Sequence, residues 1–199
     1  SYYLEAISYM LKNNGLIILL GIFFTAELVG LVSAAKTLFY FLPLRILGII
    51  TNTSMYEYSQ SYAKKQMKTI KYNFNRHIFL TMCLILLMSI SLLATGPTIF
   101  NLWTHNEYNL NYLLILLLVT DCLICSLRNT VIILIKAVNK FLKAIVVETI
   151  ISILIFFITY YFLTLNYNYL SMFIMNLIGT LISFIAIGYF SFKFYGKLK

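Results

Sequence analysis

The stretch HIFLTMCLILLMSISLLATG, residues 77–96, decides what kind of protein this chain is. It contains no Asp, Glu, Lys or Arg over its whole length. An α-helix rises about 1.5 Å per residue, so about 20 residues of this kind cross the roughly 30 Å of hydrocarbon in a bilayer. The stretch therefore predicts a transmembrane helix.

The rest of the chain has the same apolar character. Hydrophobic residues make up 61% of the 199 residues and charged residues only 11%, against about 45–50% and about 25% in an average soluble domain. Apolar runs such as 78–94 and 144–165 are too long to hide together in one soluble core. We therefore expect an all-α membrane protein whose main partner is the lipid bilayer. The formal net charge of +9 then reflects membrane topology, and no nucleic-acid partner is expected.

The same length rule, applied along the whole chain, predicts six transmembrane spans in a single bundle of residues 1–199. They are about Leu4–Phe24, Glu27–Thr53, His77–Gly96, Leu110–Lys136, Leu142–Leu165 and Tyr169–Phe190. Polar residues interrupt the first two spans, whereas the last four are continuous.

Basic residues alternate between the connections. The connections 25–26, 97–109 and 166–168 contain no Lys or Arg. The other two connections and the tail hold Lys64, Lys65, Lys68, Lys71 and Arg76, then Lys136, Lys140 and Lys143, then Lys193, Lys197 and Lys199. Short cytoplasmic loops carry the positive excess. The pattern predicts a multi-pass protein of the inner (plasma) membrane with both termini in the cytoplasm.

The longest connection, residues 54–75, has an amphipathic pattern. Its apolar residues recur at helical spacing, and lysines occupy the remaining faces: Ala63, Met67, Ile70 and Phe74 against Lys64, Lys65, Lys68 and Lys71. We expect a cytoplasmic amphipathic helix lying on the inner membrane surface, with a solvated charged helix as the alternative.

Polar and ionisable residues occur inside three predicted spans. They are Lys12, Asn13 and Asn14 in span 1, Lys36 and Arg45 in span 2, and Asp121 and Arg128 in span 4. A charge at the bilayer centre costs at least about 2.5–3.5 kcal/mol, so each of these residues calls for a partner, a wet cavity or a route to the surface. Glu148 lies only a turn or two inside span 5, and we expect it to reach the inner surface.

The spacing of these residues predicts which of them share a helix face. Asp121 and Arg128 are two helical turns apart and share one face of span 4, where they fit either a functional site or a structural ion network. Lys36 and Arg45 are nine residues apart, with Pro43 between them as a predicted kink. At least one of these two cations is expected to face a polar cavity.

The embedded cations outnumber the embedded acids. Lys12, Lys36, Arg45 and Arg128 stand against Asp121. A cavity with this balance attracts an anion, and phosphate or pyrophosphate suits the fork of Arg and the point charge of Lys.

No enzyme, cofactor or metal motif competes with this interpretation. There is no Gly-rich phosphate loop and no Ser, His and acid set, and His77 and His105 fall at span ends on opposite sides of the predicted bundle. Cys122 and Cys125 have half of a metal-binding spacing, but no second pair follows, so packing is the preferred interpretation. We predict no catalytic residues, no cofactor and no metal ligands.

Several features appear in an order that points to a family. The polar first span is followed by the tight turn TAELVG (25–30) and the small residues SAA (33–35). The long polar segment 52–76 precedes GP (96–97) with IFNLW (99–103), and IKAVNK (135–140) ends span 4. Over about two thirds of its length the chain resembles the polysaccharide and O-antigen flippases of the multidrug/oligosaccharidyl-lipid/polysaccharide exporter superfamily.

This resemblance implies two six-helix bundles that face each other across a central cavity and rock to give alternating access. Residue 1 is Ser rather than Met, so we expect the chain to be the C-terminal bundle of a longer transporter, with the N-terminal bundle as its partner. The implied substrate is an oligosaccharide linked to polyprenyl pyrophosphate, flipped from the inner to the outer leaflet for polysaccharide export. Candidate cavity residues are Lys12, Asn13, Asn14, Lys36, Arg45, Asp121 and Arg128.

Two alternatives stay open. A multidrug extruder of the same fold would favour acidic cavity residues for cationic drugs, which the excess of embedded cations disfavours. A membrane-embedded glycan polymerase or transferase could use isolated Arg and Asp residues that form no motif.

Overall fold

A computed structural model describes residues 2–165 and 168–196, which are helical apart from turns and short connections, with no strand among them. Six helical stretches of this described part are long and apolar enough to cross a membrane. The prediction of an all-α bundle of six spans is thereby confirmed. Five residues on which the predictions above draw lie outside the described ranges: Ser1, Asn166, Tyr167, Lys197 and Lys199.

The first two spans are interrupted helices and the last four are continuous. Span 1 consists of α1 (Tyr2–Met10) and α2 (Leu16–Phe23), joined by a π-helical turn (Leu11–Gly15); span 2 consists of α3 (Ala26–Lys36) and α4 (Leu42–Ala63), joined by a second π-helical turn (Thr37–Phe41). Spans 3 to 6 are α5 (Met67–Trp103), α6 (Tyr112–Lys136), α7 (Leu142–Thr164) and α8 (Tyr169–Tyr195).

Span 4 lies at the centre of the bundle. It packs against spans 2, 3 and 6, and 72% of its most apolar stretch is buried, against 17% for span 3, whose apolar side chains face outward. Ser126 and Thr130 on span 4 donate back to carbonyls of their own helix, at 2.8 and 2.9 Å. Their small side chains thus let neighbouring helices approach without leaving unpaired hydroxyls.

The basic connections lie together at one end of the bundle, which we call the basic end. There the hydroxyl of Ser59 donates to the carbonyl of Ala137 (3.1 Å) across spans 2 and 4, and Tyr195 donates to Asn75 (3.3 Å) across spans 6 and 3. At the opposite end, Asn111 and Asn168 cap the starts of spans 4 and 6. The three basic segments of the sequence therefore share one end, as far as the structure describes them.

The segment 54–75 is a helical hairpin instead of a separate surface helix. Helix α4 continues to Ala63, residues 64–66 turn, and α5 begins at Met67. Lys65 has a left-handed backbone (φ 56°), and the N–H of Gln66 bonds the carbonyl of Ser61 (2.9 Å), which closes a Schellman-type helix end.

The apolar stripe of this hairpin faces protein, because it packs against its own second arm and the bundle. Ile70 and Phe74 are each 1% exposed, in a cluster that includes Tyr58. The hydroxyl of Tyr58 lies 3.1 Å from Nδ1 of His77, a residue expected at the start of span 3 but found inside α5. Of the predicted apolar face, Ile70 and Phe74 are thus buried against protein, whereas Ala63 is exposed. Packing within the protein, without contact to a membrane surface, accounts for the apolar pattern at Ile70 and Phe74.

Two apolar clusters fill the core, and a polar layer separates them. The first cluster includes Leu20, Phe39 and Phe100 and lies towards the end opposite the basic end. The second includes Ile135 and Ile187 and lies at the basic end. Buried polar side chains from spans 1, 2, 4, 5 and 6 lie between the two clusters or, like Lys36 and Asp121, within the adjoining part of the first: Ser8, Asn13, Lys36, Asp121, Ser126, Glu148, Ser152, Asn176, Thr180 and Ser183. Buried polar groups need partners, so this layer fixes how the spans align.

Both π-helical turns lie beside this polar layer. The second one immediately precedes Pro43, which occupies the first turn of α4 and has no N–H to give. The N–H of Leu42 bonds the carbonyl of Thr37, five residues back, so the widened turn takes up the interruption that the proline imposes. The kink predicted near Pro43 therefore takes the form of a π-helical turn.

Gly96 of span 3 allows the second π-helical turn to pack closely. A Cβ atom at this position would collide with the ring of Phe39, which is fully buried. We expect Gly96→Leu to lower the stability by about 1–3 kcal/mol because the core has no room for the side chain.

Gly21→Leu is the matched control, since a Cβ at Gly21 meets no atom within 4 Å. Thermal unfolding of the purified variants in detergent measures the difference. Equal unfolding temperatures for the two variants would contradict the close packing of Gly96 against Phe39.

Candidate functional site

A carboxylate from span 5 joins two cations in the polar layer. Oε1 of Glu148 accepts from the ammonium of Lys12 on span 1 (3.1 Å) and from the guanidinium of Arg128 on span 4. Glu148 is 3% exposed, and Lys12 also donates to the hydroxyl of Ser183 on span 6 (3.0 Å). We call Lys12, Arg128 and Glu148 the ion triad; it links three spans directly and a fourth through Ser183.

Neighbouring residues hold the ion triad in place. The guanidinium of Arg128 donates to the side-chain oxygen of Asn129 through Nε (3.3 Å) and Nη2 (2.7 Å), which fixes its plane. About two turns nearer the basic end, the ammonium of Lys136 pairs with Glu5 of span 1. Spans 1 and 4 therefore meet along a line of charged side chains.

Hydroxyl groups join spans 1 and 5 beside the triad. The hydroxyls of Ser8 and Ser152 lie 2.7 Å apart, and Thr149 donates to the carbonyl of Leu4 (3.2 Å). These two direct bonds, one between side chains and one from a side chain to the backbone, hold spans 1 and 5 in a defined register.

Lys36 lies deeper than the triad and binds no carboxylate directly. Its ammonium donates to the carbonyl of Asn13 in the first π-helical turn (3.1 Å) and lies 5.6 Å and 5.4 Å from the ring centroids of Tyr40 and Phe41. Lys36 is 2% exposed. A backbone dipole and two aromatic rings thus stabilise a buried cation.

Asp121 has a neutral partner on span 6. Its Oδ2 accepts from the amide of Asn176 (2.8 Å), whereas the buried Oδ1 makes no hydrogen bond within the described part of the chain. The hydroxyl of nearby Thr180 donates instead to the carbonyl of Asn176 (3.0 Å). Lys36 and Asp121 attract each other electrostatically without an ion pair in direct contact.

A groove runs beside the ion triad between spans 1 and 2, with span 4 as its floor. It consists of two adjoining cavities of about 240 and 210 Å³. The deeper one includes Lys12, Asn13 and Arg45, and the other extends past Asn52 to Lys136 at the basic end. Both π-helical turns contribute to its wall, through Lys12 and Asn13 of the first and Tyr40 and Phe41 of the second. We call this feature the cationic groove.

The structure brings some of the predicted site residues together and separates others. Lys12, Asn13, Arg45 and Arg128 all line the cationic groove. Lys36 and Asp121 are buried behind it, and Asp121 binds Asn176 instead of sharing a partner with Arg128. Asn14 is exposed and does not line either cavity of the groove.

Arg45 differs from the other cations of the groove. Its side chain is exposed, and no carboxylate or other hydrogen-bond partner contacts it among the residues that the structure describes. The remaining groove cations, Lys12, Arg128 and Lys136, are each paired with Glu148 or Glu5. Among the groove cations that the structure describes, Arg45 is therefore the one without a bound counter-charge.

The expectation for Glu148 was wrong. A position near the start of span 5 suggested a side chain that reaches the inner surface, but this face of α7 packs against span 1, and Glu148 is buried. The sequence analysis also missed Asn129, Asn176 and Glu5 as partners. Each is polar in or beside an apolar stretch, which is a weak signal unless a partner's position is known.

Cys122 and Cys125 are both buried in span 4, and the thiol of Cys122 lies 3.7 Å from the carbonyl of Tyr40. Their contacts suit small apolar side chains in a helix interface. No group of three His, Cys, Asp or Glu residues within 2–165 and 168–196 is placed to hold a metal ion.

Comparison of the chain with models of known protein families, with curated proteins and with solved structures finds no match. The family resemblance therefore stays a prediction, and the chemistry of the groove has to carry the functional argument.

The ion triad leads to a testable prediction about the stability of the bundle. Glu148→Gln leaves the largely covered cations Lys12 and Arg128 without their counter-charge, so we expect a loss of about 3–5 kcal/mol. Glu5→Gln is the control, because Glu5 has a single pairing partner and its side chain is 34% exposed, and we expect it to cost less than about 1 kcal/mol.

Unfolding of both variants in detergent, followed by circular dichroism, separates the two cases. A Glu148→Gln protein as stable as the Glu5→Gln protein would show that the triad does not hold spans 1, 4 and 5 together.

Proposed function

We propose that the chain is part of a membrane transporter that flips an oligosaccharide linked to polyprenyl pyrophosphate from the inner to the outer leaflet. The observation that carries the proposal is the cationic groove, in which the unpaired Arg45 lines the same cavity as two partly buried cations that share one carboxylate. Such a groove favours a group with more than one negative charge, since Arg binds phosphate oxygens bidentately and Lys adds a point charge.

The shape of the groove supports a lipid-linked substrate over a soluble one. It lies between two transmembrane spans and extends from the polar layer towards the basic end. A polar headgroup can occupy such a groove while its polyprenyl chain stays in the surrounding hydrocarbon. Both spans contain a π-helical turn at this depth, and such turns are frequent at functional sites.

The proposal includes a second bundle and a location. The chain forms one half of a two-bundle transporter in the inner (plasma) membrane, and an N-terminal bundle covers the groove from the far side. The cytoplasmic position of the basic end rests on the positive-inside rule.

Nothing observed in the site favours the two alternatives. A multidrug extruder needs an acidic cavity for cationic drugs, but each groove carboxylate is already paired with a cation. A glycan polymerase or transferase needs a free base within reach of its substrate, and both carboxylates of the groove, Glu148 and Glu5, are held in ion pairs.

Neutralising Arg45 tests the proposed function. We expect Arg45→Gln to slow flipping of a fluorescent polyprenyl-pyrophosphate-linked disaccharide at least about tenfold, because one good charge-assisted contact is worth about 1.5–3 kcal/mol. The measurement uses vesicles containing the transporter and a membrane-impermeant quencher that reads each leaflet separately.

Arg76→Gln is the matched control, since Arg76 is another exposed arginine and lies outside the groove. Flipping at the wild-type rate by Arg45→Gln, or extrusion of a cationic dye by the wild type in place of the anionic lipid, would contradict the proposal.

The orientation can be tested separately. We expect Lys68→Cys, in the hairpin, to react with a membrane-impermeant maleimide only from the cytoplasmic side. Glu107→Cys, at the opposite end, should react only from outside, because an odd number of spans separates the two positions. Wild-type protein gives the background from Cys83, and labelling of both variants from the same side would overturn the topology.

A further inference from the structure

A second cationic cavity lies at the basic end, away from the cationic groove. Its volume is about 550 Å³, and it lies between the ends of spans 4, 5 and 6. Lys140, Lys143 and Lys193 line it together with apolar side chains, among them Leu142 and Phe194. We call it the lysine cavity.

The three lysines come from three different elements, and no acid balances them. Lys140 lies in the turn after span 4, Lys143 at the start of α7 and Lys193 near the end of α8. No Asp or Glu lines the cavity, and no carboxylate lies within 4 Å of these ammonium groups in the described ranges. The cavity therefore presents three uncompensated positive charges.

Aromatic rings keep two of these charges at the boundary between polar and apolar surface. The ammonium of Lys140 lies 5.2 Å from the ring centroid of Phe194, and that of Lys193 lies 5.6 Å from the ring centroid of Tyr189. Cation–π contacts of this kind leave the N–H groups free to donate to a ligand.

The turn that presents Lys140 has a defined structure. Asn139 adopts a left-handed backbone (φ 57°), and its N–H bonds the carbonyl of Lys136 (2.9 Å). The N–H of Lys140 bonds the carbonyl of Ile135 (2.9 Å), which completes a Schellman-type end of span 4. Asn is one of the few residues that tolerate this conformation, so the turn holds Lys140 at the cavity edge.

We propose that the lysine cavity binds the phosphate headgroup of an anionic phospholipid from the leaflet next to the basic end. The lysines supply donors and charge for the phosphodiester, and Leu142 and Phe194 supply an apolar wall for the start of an acyl chain. Basic pockets between transmembrane helices bind anionic headgroups in this way. The apolar wall, which includes the exposed Leu142 and the half-buried Phe194, favours a lipid over a free phosphate ion, which would gain nothing from it. This inference does not depend on the proposed transport function.

The test compares phospholipids on the delipidated, purified protein. Phosphatidylglycerol is titrated into protein held in uncharged detergent, with phosphatidylcholine and inorganic phosphate in parallel, and binding is followed by native mass spectrometry and by the unfolding temperature. We expect phosphatidylglycerol alone to bind and to raise the unfolding temperature. Lys140→Gln/Lys143→Gln/Lys193→Gln should weaken this binding at least about tenfold.

Two further variants make the outcome specific. Lys64→Gln/Lys65→Gln/Lys68→Gln removes the same charge from exposed lysines of the hairpin and should bind like the wild type. Lys140→Arg/Lys143→Arg/Lys193→Arg should retain binding, because Arg keeps the charge and the donors.

Equal affinity of the cavity and hairpin variants for phosphatidylglycerol would overturn the proposal, as it would show only a general attraction of basic protein to anionic lipid. Stabilisation by inorganic phosphate equal to that by phosphatidylglycerol would also overturn it, because the site would then recognise a free anion.

Discussion

The carboxylate of Glu148 determines how the polar layer of this bundle is organised. Lys12 and Arg128 each carry a charge into a region where an uncompensated ion costs several kcal/mol, and one acid offsets part of the cost for both. Because the three residues come from spans 5, 1 and 4, their pairing also fixes the relative heights of those spans. Asn129 and Ser183 take up further donors of the two cations, so the triad is well satisfied.

At the π-helical turns, a backbone group also compensates a buried positive charge. Lys36 has no acid in contact, and the carbonyl of Asn13 in the first π-helical turn takes that role. The second π-helical turn precedes Pro43 and brings Tyr40 and Phe41 to the ammonium of Lys36. Irregular backbone inside a membrane is tolerated where it is buried in protein or lines a cavity, and both turns meet that condition at the cationic groove.

The sequence was sufficient for the properties that depend on local pattern. Span number follows from length and hydropathy, and the stripe of Ile70 and Phe74 follows from helical spacing. Hydropathy and helical spacing do not show whether an apolar stripe contacts protein or membrane. A hairpin arm packed against Tyr58 therefore has the same sequence pattern as a helix on the membrane surface. The distance of Glu148 from the start of span 5 was likewise a poor guide to its burial, because that face of the helix packs against span 1.

The partners of the embedded charges could not be predicted for a related reason. Lys12 and Glu148 are separated by most of the chain, and no periodicity relates them. Asn176 carries no charge, so its pairing with Asp121 leaves no trace in a pattern of ionisable residues. Such pairings follow from which helix faces meet, and that depends on the packing of all six spans.

The distribution of charge around the cationic groove connects binding to helix packing. Under the proposed function, an anionic headgroup meets Arg45 first, because that cation has no acid beside it. To move further into the cationic groove, the anionic headgroup has to compete with Glu148 for Lys12 and Arg128. Each contact that the anion gains with Lys12 or Arg128 weakens a bond between span 5 and span 1 or span 4. Under the same proposal, occupancy of the groove shifts the bundle towards a second packing in which span 5 is held less tightly. A ligand shifts such an equilibrium only as far as its affinities for the two packings differ, and the shared carboxylate supplies that difference.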